Sequence, residues 1–280
     1  MFPQAWQVGL DIQIDCVRAL AVQRRRNGWQ LRHWWQQTLP QGVLRDGCLA
    51  PSEALIRALR QWRVQLPRHI SLRIALPAQR VLQQCMAQPD ARLREPERSD
   101  YIVGHGVKQF PLDGQTLALD YRAAPAEGAA LLLTAARRQE LQQWLHCLRQ
   151  AGLHPQAVDI MPCALRMMAT AAGVPHTAGL MHRLEREWLW VAPADGAFAF
   201  GLTPGDDDAQ ALQALQALQA QTPADDDRPV YAGSVLAGAL PVGCLSWSPL
   251  SAFTQLRPPL PVHPSAFALA GGLALREEDR

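Results

Sequence analysis

The sequence predicts an α/β fold duplicated into two similar halves. Two apolar β runs, Val8–Ile12 and Cys16–Val22, meet at a tight corner, with Asp11 near the end of the first. Gly179–His182, Trp188–Val191 and Ala197–Leu202 repeat that opening later in the chain, and Ala178-Gly179-Leu180 echoes Val8-Gly9-Leu10. After each opening the pattern continues as alternating strand and helix, the organisation of a duplicated α/β fold. A chain of 280 residues is long enough for two such halves and a sizeable core.

In the first half, Asn27-Gly28 is a strong hairpin signal. It places a turn between Cys16–Gln23 and Trp29–Leu39 and completes a three-strand meander. Arg24-Arg25-Arg26 lies beside that turn as a solvated edge. Ser52 offers an N-cap to a helix in which Leu55, Leu59, Trp62 and Leu66 recur at helical spacing. His69–Leu76 alternates as a strand, with Leu72, Ile74 and Leu76 on one face. Between Pro77 and Ala124 the texture changes: Val81–Met86 reads as a strand, Glu95–Gln109 as a helix and Leu117–Arg122 as a strand. This is a small inserted αβ subdomain, bounded by Pro77 and Pro125. The parent pattern then resumes with a strand at Ala130–Ala135, a helix at Arg137–Gln150 stopped by Gly152, a strand at Ala157–Ile160 and a helix at Pro162–Ala172 ended by Gly173.

In the second half, Asp195-Gly196 supplies a turn of the repeated meander. Leu212, Leu215 and Leu218 mark a short helix between Asp206-Asp207-Asp208 and Asp225-Asp226-Asp227. Both acidic runs are expected to face water, and the first sits at a helix start, where the dipole favours negative charge. Val230–Gly233 reads as a strand, Ser234–Leu240 as a helical turn and Phe267–Arg276 as a terminal helix. The boundaries that follow are 1–76 and 125–175 for the first half, 77–124 for the insertion and 176–262 for a reduced second half. Residues 263–280 form a helix returning to the first half.

Composition narrows the function class. A hydrophobic content of 48% with 19% charged residues describes a globular protein, and a net charge of +2 gives no mandate for nucleic acid or acidic lipid. Lys108 is the only lysine, a bias that base composition explains more simply than phosphate clamps do. The six cysteines lack CxxC or Cys/His spacing, so they are expected to be small hydrophobes in a reducing compartment rather than a disulfide frame or metal site. No signal-peptide pattern opens the chain, and no apolar run approaches the roughly 20 residues of a membrane span. The expected location is cytosolic. GxSxG is absent, the histidines are dispersed, and no protease, glycosidase or redox constellation is present.

Several segments, in order along nearly the whole chain, carry a family resemblance. They are Gly9-Leu10-Asp11-Ile12; Gln109-Phe110-Pro111-Leu112-Asp113 with Leu119-Asp120-Tyr121; Ala151-Gly152-Leu153-His154-Pro155 with Val158-Asp159-Ile160 and Ala164-Leu165; and Gly272-Leu273-Ala274-Leu275-Arg276. Together they resemble PilM, the FtsA-like protein of type IV pilus assembly, most nearly its diverged enterobacterial branch tied to DNA uptake and use. The resemblance implies an actin-like (ribonuclease H-like) fold with a nucleotide cleft between two halves. It also implies a partner, the N-terminal cytoplasmic peptide of a PilN-like inner-membrane protein, bound where the inserted subdomain meets the first half. Leu76, Val81, Phe110, Leu119 and Tyr121 fall in that region, and apolar pockets beside strand edges catch such peptides.

The nucleotide motifs depart from the family pattern. Phosphate needs close backbone approach, so glycine and small hydroxyl residues normally follow the first acid. Here Gln13, Ile14 and Asp15 follow it. The second phosphate window, Leu180-Met181-His182-Arg183-Leu184, has neither acid nor glycine, and His182 among apolar residues reads as structural. In the adenosine loop, Tyr231-Ala232-Gly233-Ser234, only Gly233 matches. Hydrolysis requires Mg²⁺, a positioned water and phosphate stabilisation together. The expectation is therefore a non-enzymatic scaffold with no cofactor and no metal, in which Gly9, Asp11 and Gly233 are remnants of a nucleotide cleft. An ATP-binding assembly regulator with Mg²⁺ is the alternative. Direct nucleic-acid binding through Arg24–Arg26, Arg92, Arg94 and Arg98 is the weakest reading. Association with the inner membrane is expected through the partner alone.

Overall fold

The computed structural model describes residues 5–39, 42–124, 130–205, 207–221 and 228–277. The chain opens with the meander β1 (Trp6–Ile12), β2 (Cys16–Arg25) and β3 (Gly28–Thr38), turned at Asn27-Gly28 as its chemistry demands. A short hairpin, β4 (Leu44–Arg45) and β5 (Cys48–Leu49), leads to α1 (Glu53–Arg63). Ser52 caps that helix by accepting the Leu55 N–H, and Leu55, Leu59 and Trp62 are its buried face. The strand β6 (Ile70–Leu76) then pairs parallel to β1.

The insertion comprises β7 (Val81–Ala87), α2 (Glu97–Gly106), β8 (Leu117–Ala123) and β9 (Ala130–Arg137). Its sheet has the order β7-β9-β8, antiparallel throughout. This corrects the expected boundary at 124. The run at Ala130–Ala135 is not the resumption of the parent sheet but the central strand of the inserted one. Burial explains the misreading, since Leu131, Leu132, Leu133 and Ala135 are as buried as a parent strand, with both faces of β9 covered. Pro125 lies outside the described residues. The parent pattern resumes with α3 (Arg138–Gln150), β10 (Pro155–Ile160) and α4 (Met161–Ala171).

The second half contains β11 (Gly179–Arg183), β12 (Glu187–Val191), β13 (Phe200–Pro204), α5 (Asp208–Gln219), β14 (Val230–Ser234) and β15 (Cys244–Ser246), followed by α6 (Ala268–Leu275). Asp207 accepts the Gln210 N–H and caps α5, so one member of the first acidic run has a structural task. Asp206 and Asp225–Asp227 lie outside the described residues. Two expected elements differ. The third strand begins at Phe200 rather than Ala197 and runs to Pro204, because its pairing with Glu187–Val191 sets its ends. The stretch after Ser234 forms no helical turn, since Gly238 at φ +147° leaves the right-handed region.

The two large sheets have orders β10-β6-β1-β2-β3 and β15-β14-β11-β12-β13. In each, the first strand pairs antiparallel with the second and parallel with the fourth, the fifth pairs parallel with the fourth, and the third pairs antiparallel with the second. Identical order and sense in both halves is the mark of duplication. Between the sheets, α4 and α6 pack on each other, with α6 also lying on β1, β2 and β6. One apolar cluster joins Leu20 and Leu31 of the first half, Leu165 and Met168 of α4, Leu269 and Leu273 of α6, and Leu180 and Leu189 of the second half. Among the described residues, no helix is long and apolar enough to cross a membrane.

Candidate functional sites: an interdomain cleft and an edge-lined groove

The corner of β1 and β2 and the corner of β11 and β12 are equivalent two-residue turns that face each other. Gln13 N–H bonds the Cys16 carbonyl, and Leu184 N–H bonds the Glu187 carbonyl in the same way. This register makes His182 the counterpart of Asp11, and Glu185 the counterpart of Ile14. The sequence echo of Ala178-Gly179-Leu180 with Val8-Gly9-Leu10 is thus one residue out, which in a strand means the opposite face. Glu185 reaches across the gap. Its carboxylate accepts the Ile14 backbone N–H at 3.1 Å and pairs with the Arg18 guanidinium at 3.3 Å. Asp11 is buried beneath this bridge and accepts from Gln13 Nε2 at 2.6 Å.

Two carboxylates therefore share the neighbourhood of one buried cation. Burial pushes Glu185 up to about 7, with Arg18 opposing and Asp15 and Asp11 reinforcing. Burial likewise pushes Asp11 up to about 6, against Arg18 and the Gln13 bond. His182 is fully buried, and burial, with Arg18 and His263 adding, lowers it to about 3, so the imidazole is neutral. Neither ring nitrogen has a hydrogen-bond partner, which fits a core residue rather than a base.

The cavity beside the two turns encloses about 640 Å³ and is lined by Gln13, Ile14, Arg45, Glu185, Arg186 and Glu187 among others. None of the three expected cleft remnants lines it. Asp11 is covered by Gln13. Gly9 lies under α6, where a Cβ would overlap the Ala270 carbonyl oxygen, so its glycine serves helix packing rather than phosphate approach. Gly233 lies against Ser265 Oγ and the His182 ring, at 2.7 and 3.0 Å from where its Cβ would stand. These residues do not fit a polyphosphate. The amide that would meet phosphate already holds a carboxylate, and an anion would meet Glu185 and Asp11 at close range. Among the described residues, no group of three or more His, Cys, Asp or Glu side chains is placed to hold a metal ion.

A second cavity, about 590 Å³, opens where the inserted sheet meets the first half. It brings together Leu76, Val81, Leu119 and Tyr121, four of the five residues expected to meet a partner. The fifth does not belong there. Phe110 is buried in the subdomain core with Ile102, Leu117 and Leu133, because the turn after α2 folds it inward. Ala118 to Arg122 all line the groove consecutively, as do Val158, Asp159 and Ile160. A strand shows consecutive residues only through its edge, since its faces alternate. β8 and β10 are edge strands of their sheets, so two strand edges border one groove. Its floor is tied by Arg276 Nε to Asp159 at 2.8 Å and by Arg122 donating to Cys163 Sγ at 2.9 Å. Sequence reasoning missed Glu185, Arg18 and Arg276. For Glu185 the signal was Glu185-Arg186-Glu187, an unusually charged turn between apolar strands, and for Arg276 its place in the C-terminal segment that carries the resemblance.

A family model described as "Type IV pilus assembly protein PilM" matches residues 9–178. The chain belongs to the PilM family. It is 27% identical over 273 residues to the DNA utilization protein HofM of Escherichia coli strain K12, covering 96% of each chain. Among solved structures it is similar to a PilM-PilN type IV pilus biogenesis complex, with a TM-score of 0.72, 19% identity and 98% of both chains covered. It is also similar to the cytoplasmic domain of EpsL, an inner-membrane component of the type II secretion system of Vibrio cholerae, with a TM-score of 0.57, 12% identity and coverage of 97% and 95%. The actin-like fold is thereby shown. Within it, one cavity lies beside the paired turns, and the groove lies at the inserted subdomain.

Proposed function

We propose that this PilM-family chain is a non-enzymatic scaffold at the cytoplasmic face of the inner membrane, within a type IV pilus-like DNA-uptake machine. Its groove holds the N-terminal cytoplasmic peptide of a PilN-like inner-membrane protein. The observation that carries this reading is one cavity that two strand edges, β8 and β10, border, with Leu76, Val81 and Leu119 in its lining. An extended peptide can add backbone hydrogen bonds to such an edge while its alternate side chains enter the pocket. The solved PilM-PilN complex supports the choice of partner. Fluorescence anisotropy with the labelled N-terminal peptide of the PilN-like protein tests it: saturable binding weakened by Leu119→Asp is expected, and no binding would overturn it.

The cleft, on this reading, turns over no nucleotide. Glu185 on the Ile14 amide supports this, because an internal carboxylate stands where a phosphate oxygen would be held. Equilibrium dialysis with Mg-ATP should detect no specific uptake. Micromolar binding abolished by Asp11→Ala would replace this reading with an ATP-binding assembly regulator.

A further inference from the structure

The near-neutral net charge conceals a one-sided distribution. No Asp or Glu occurs between Asp15 and Asp46, nor between Asp227 and Glu277. The fold brings these two acid-free stretches together. Thr254 N–H bonds the Trp29 carbonyl, Leu31 N–H bonds the Gln255 carbonyl, and Gln30 bridges Gln255, so the later stretch lies along the edge of β3. Arg24, Arg25 and Arg26 at the β2–β3 tip, Arg32 on β3 and Arg257 on the covering stretch therefore share one end of the first sheet. Arg257 and Arg25 are close enough to depress the ionisation of Arg32, after the larger effect of burial. Among the described residues none of the five has an ion pair. Arg25 and Arg32 are steadied instead by the neutral Gln30 Oε1, at 3.4 and 3.1 Å.

Two half-buried tryptophans flank this end of the sheet, Trp29 on one face and Trp6 on the other. The Arg24 guanidinium lies 4.9 Å from the Trp29 ring centre, and that of Arg32 lies 5.1 Å from the Trp6 ring. Leu256, 43% exposed, adjoins Arg257. We propose that this end of the first sheet is a docking surface for an anionic lipid bilayer. Clustered arginines are drawn to acidic headgroups, and tryptophan is favoured at the same depth. Nucleic acid fits less well. A guanidinium group already covers a face of each indole on which a base would stack, and the cations gather at one end of the sheet instead of tracking a strand. The hairpin tip projects past the first residues of β1, away from the paired turns of the cleft, so bilayer contact leaves the cleft and the groove free. The inference extends the scaffold reading by giving the chain its own hold on the membrane that its partner spans.

Co-sedimentation of the full chain, without any partner peptide, tests this directly. Vesicles of phosphatidylcholine are compared with vesicles of phosphatidylcholine mixed with phosphatidylglycerol. Binding is expected only to the mixed vesicles, is expected to fall as salt rises, and should weaken by roughly tenfold or more in Arg25→Glu/Arg26→Glu. Arg257→Glu, in an exposed loop, supplies a second variant with the same expected direction should the hairpin variant misfold. Equal binding to neutral vesicles, or no binding to either, overturns the proposal. Tighter capture by duplex DNA than by the mixed vesicles also overturns it, in favour of nucleic acid. Peptide anisotropy on the same preparation keeps the scaffold reading separate, since groove binding can persist when vesicle binding fails.

Discussion

The Glu185 carboxylate of the second half accepts the Ile14 backbone N–H of the first at 3.1 Å, while its other oxygen meets Arg18 at 3.3 Å. This bridge spans the two facing turns, one from each half. Both halves are thus held face to face by side chains of the chain itself. A bound polyphosphate would compete with a tethered carboxylate whose effective concentration is set by the fold.

The bridge has a pH signature. Glu185 and Asp11 have folded values near 7 and 6, above their ordinary 4.5 and 3.8. The folded state therefore holds more protons than the unfolded state over that window, so this contribution falls as pH rises from about 4 to 7 and is flat above. Urea unfolding of Glu185→Gln at pH 5 and pH 7.5 should show a smaller difference between the two pH values than the parent chain. A difference as large as the parent's would assign the pH dependence to other groups.

Among the described residues, Arg18 is the only buried cation whose guanidinium pairs with either of these acids. Removing it in Arg18→Ala leaves two buried carboxylates without compensation, and a loss of about 3–5 kcal/mol is expected at neutral pH. The loss should shrink at pH 5, where both acids become protonated. Denaturant midpoints at the two pH values measure it.

Phe110 and Leu119 lie in one subdomain but should fail differently. Phe110→Ala empties a buried site and should cost about 3–5 kcal/mol of stability. Leu119→Asp, half-buried between the subdomain core and the groove, should lower the thermal midpoint by less and weaken peptide binding by roughly tenfold or more at temperatures well below it. Thermal melts run alongside peptide anisotropy separate the two.

Gly9→Ala tests the assignment of that glycine. Its new methyl group would overlap the Ala270 carbonyl on α6, so a loss of about 1–3 kcal/mol or more is expected from the forced shift of the helix. Any effect on the groove should follow from destabilisation alone, with peptide affinity unchanged at low temperature.

Much of the architecture was written locally. The Asn27-Gly28 hairpin, the Ser52 cap and the helical spacing of Leu55, Leu59 and Trp62 are read within a few residues, and each stands as expected. Four of the five groove residues were also legible, because motif order along the chain preserves which segments meet. Phe110 was not, since an apolar residue in a turn has no periodicity to tell wall from core. The strand at Ala130–Arg137 was placed in the wrong sheet for a related reason: burial on both faces marks a central strand without naming its neighbours.

What the amino-acid order determined unaided is therefore the inventory of elements, their duplication and the bulky Gln13-Ile14-Asp15 run after Asp11, all properties of neighbours in the chain. Folding alone decided that Glu185 would meet Ile14 across 171 positions, that Gly9 would lie beneath α6, and that two acid-free stretches would merge into one basic edge. Such contacts depend on the register of strands and the approach of helices, which are set by the packing of the entire core and leave no short-range mark.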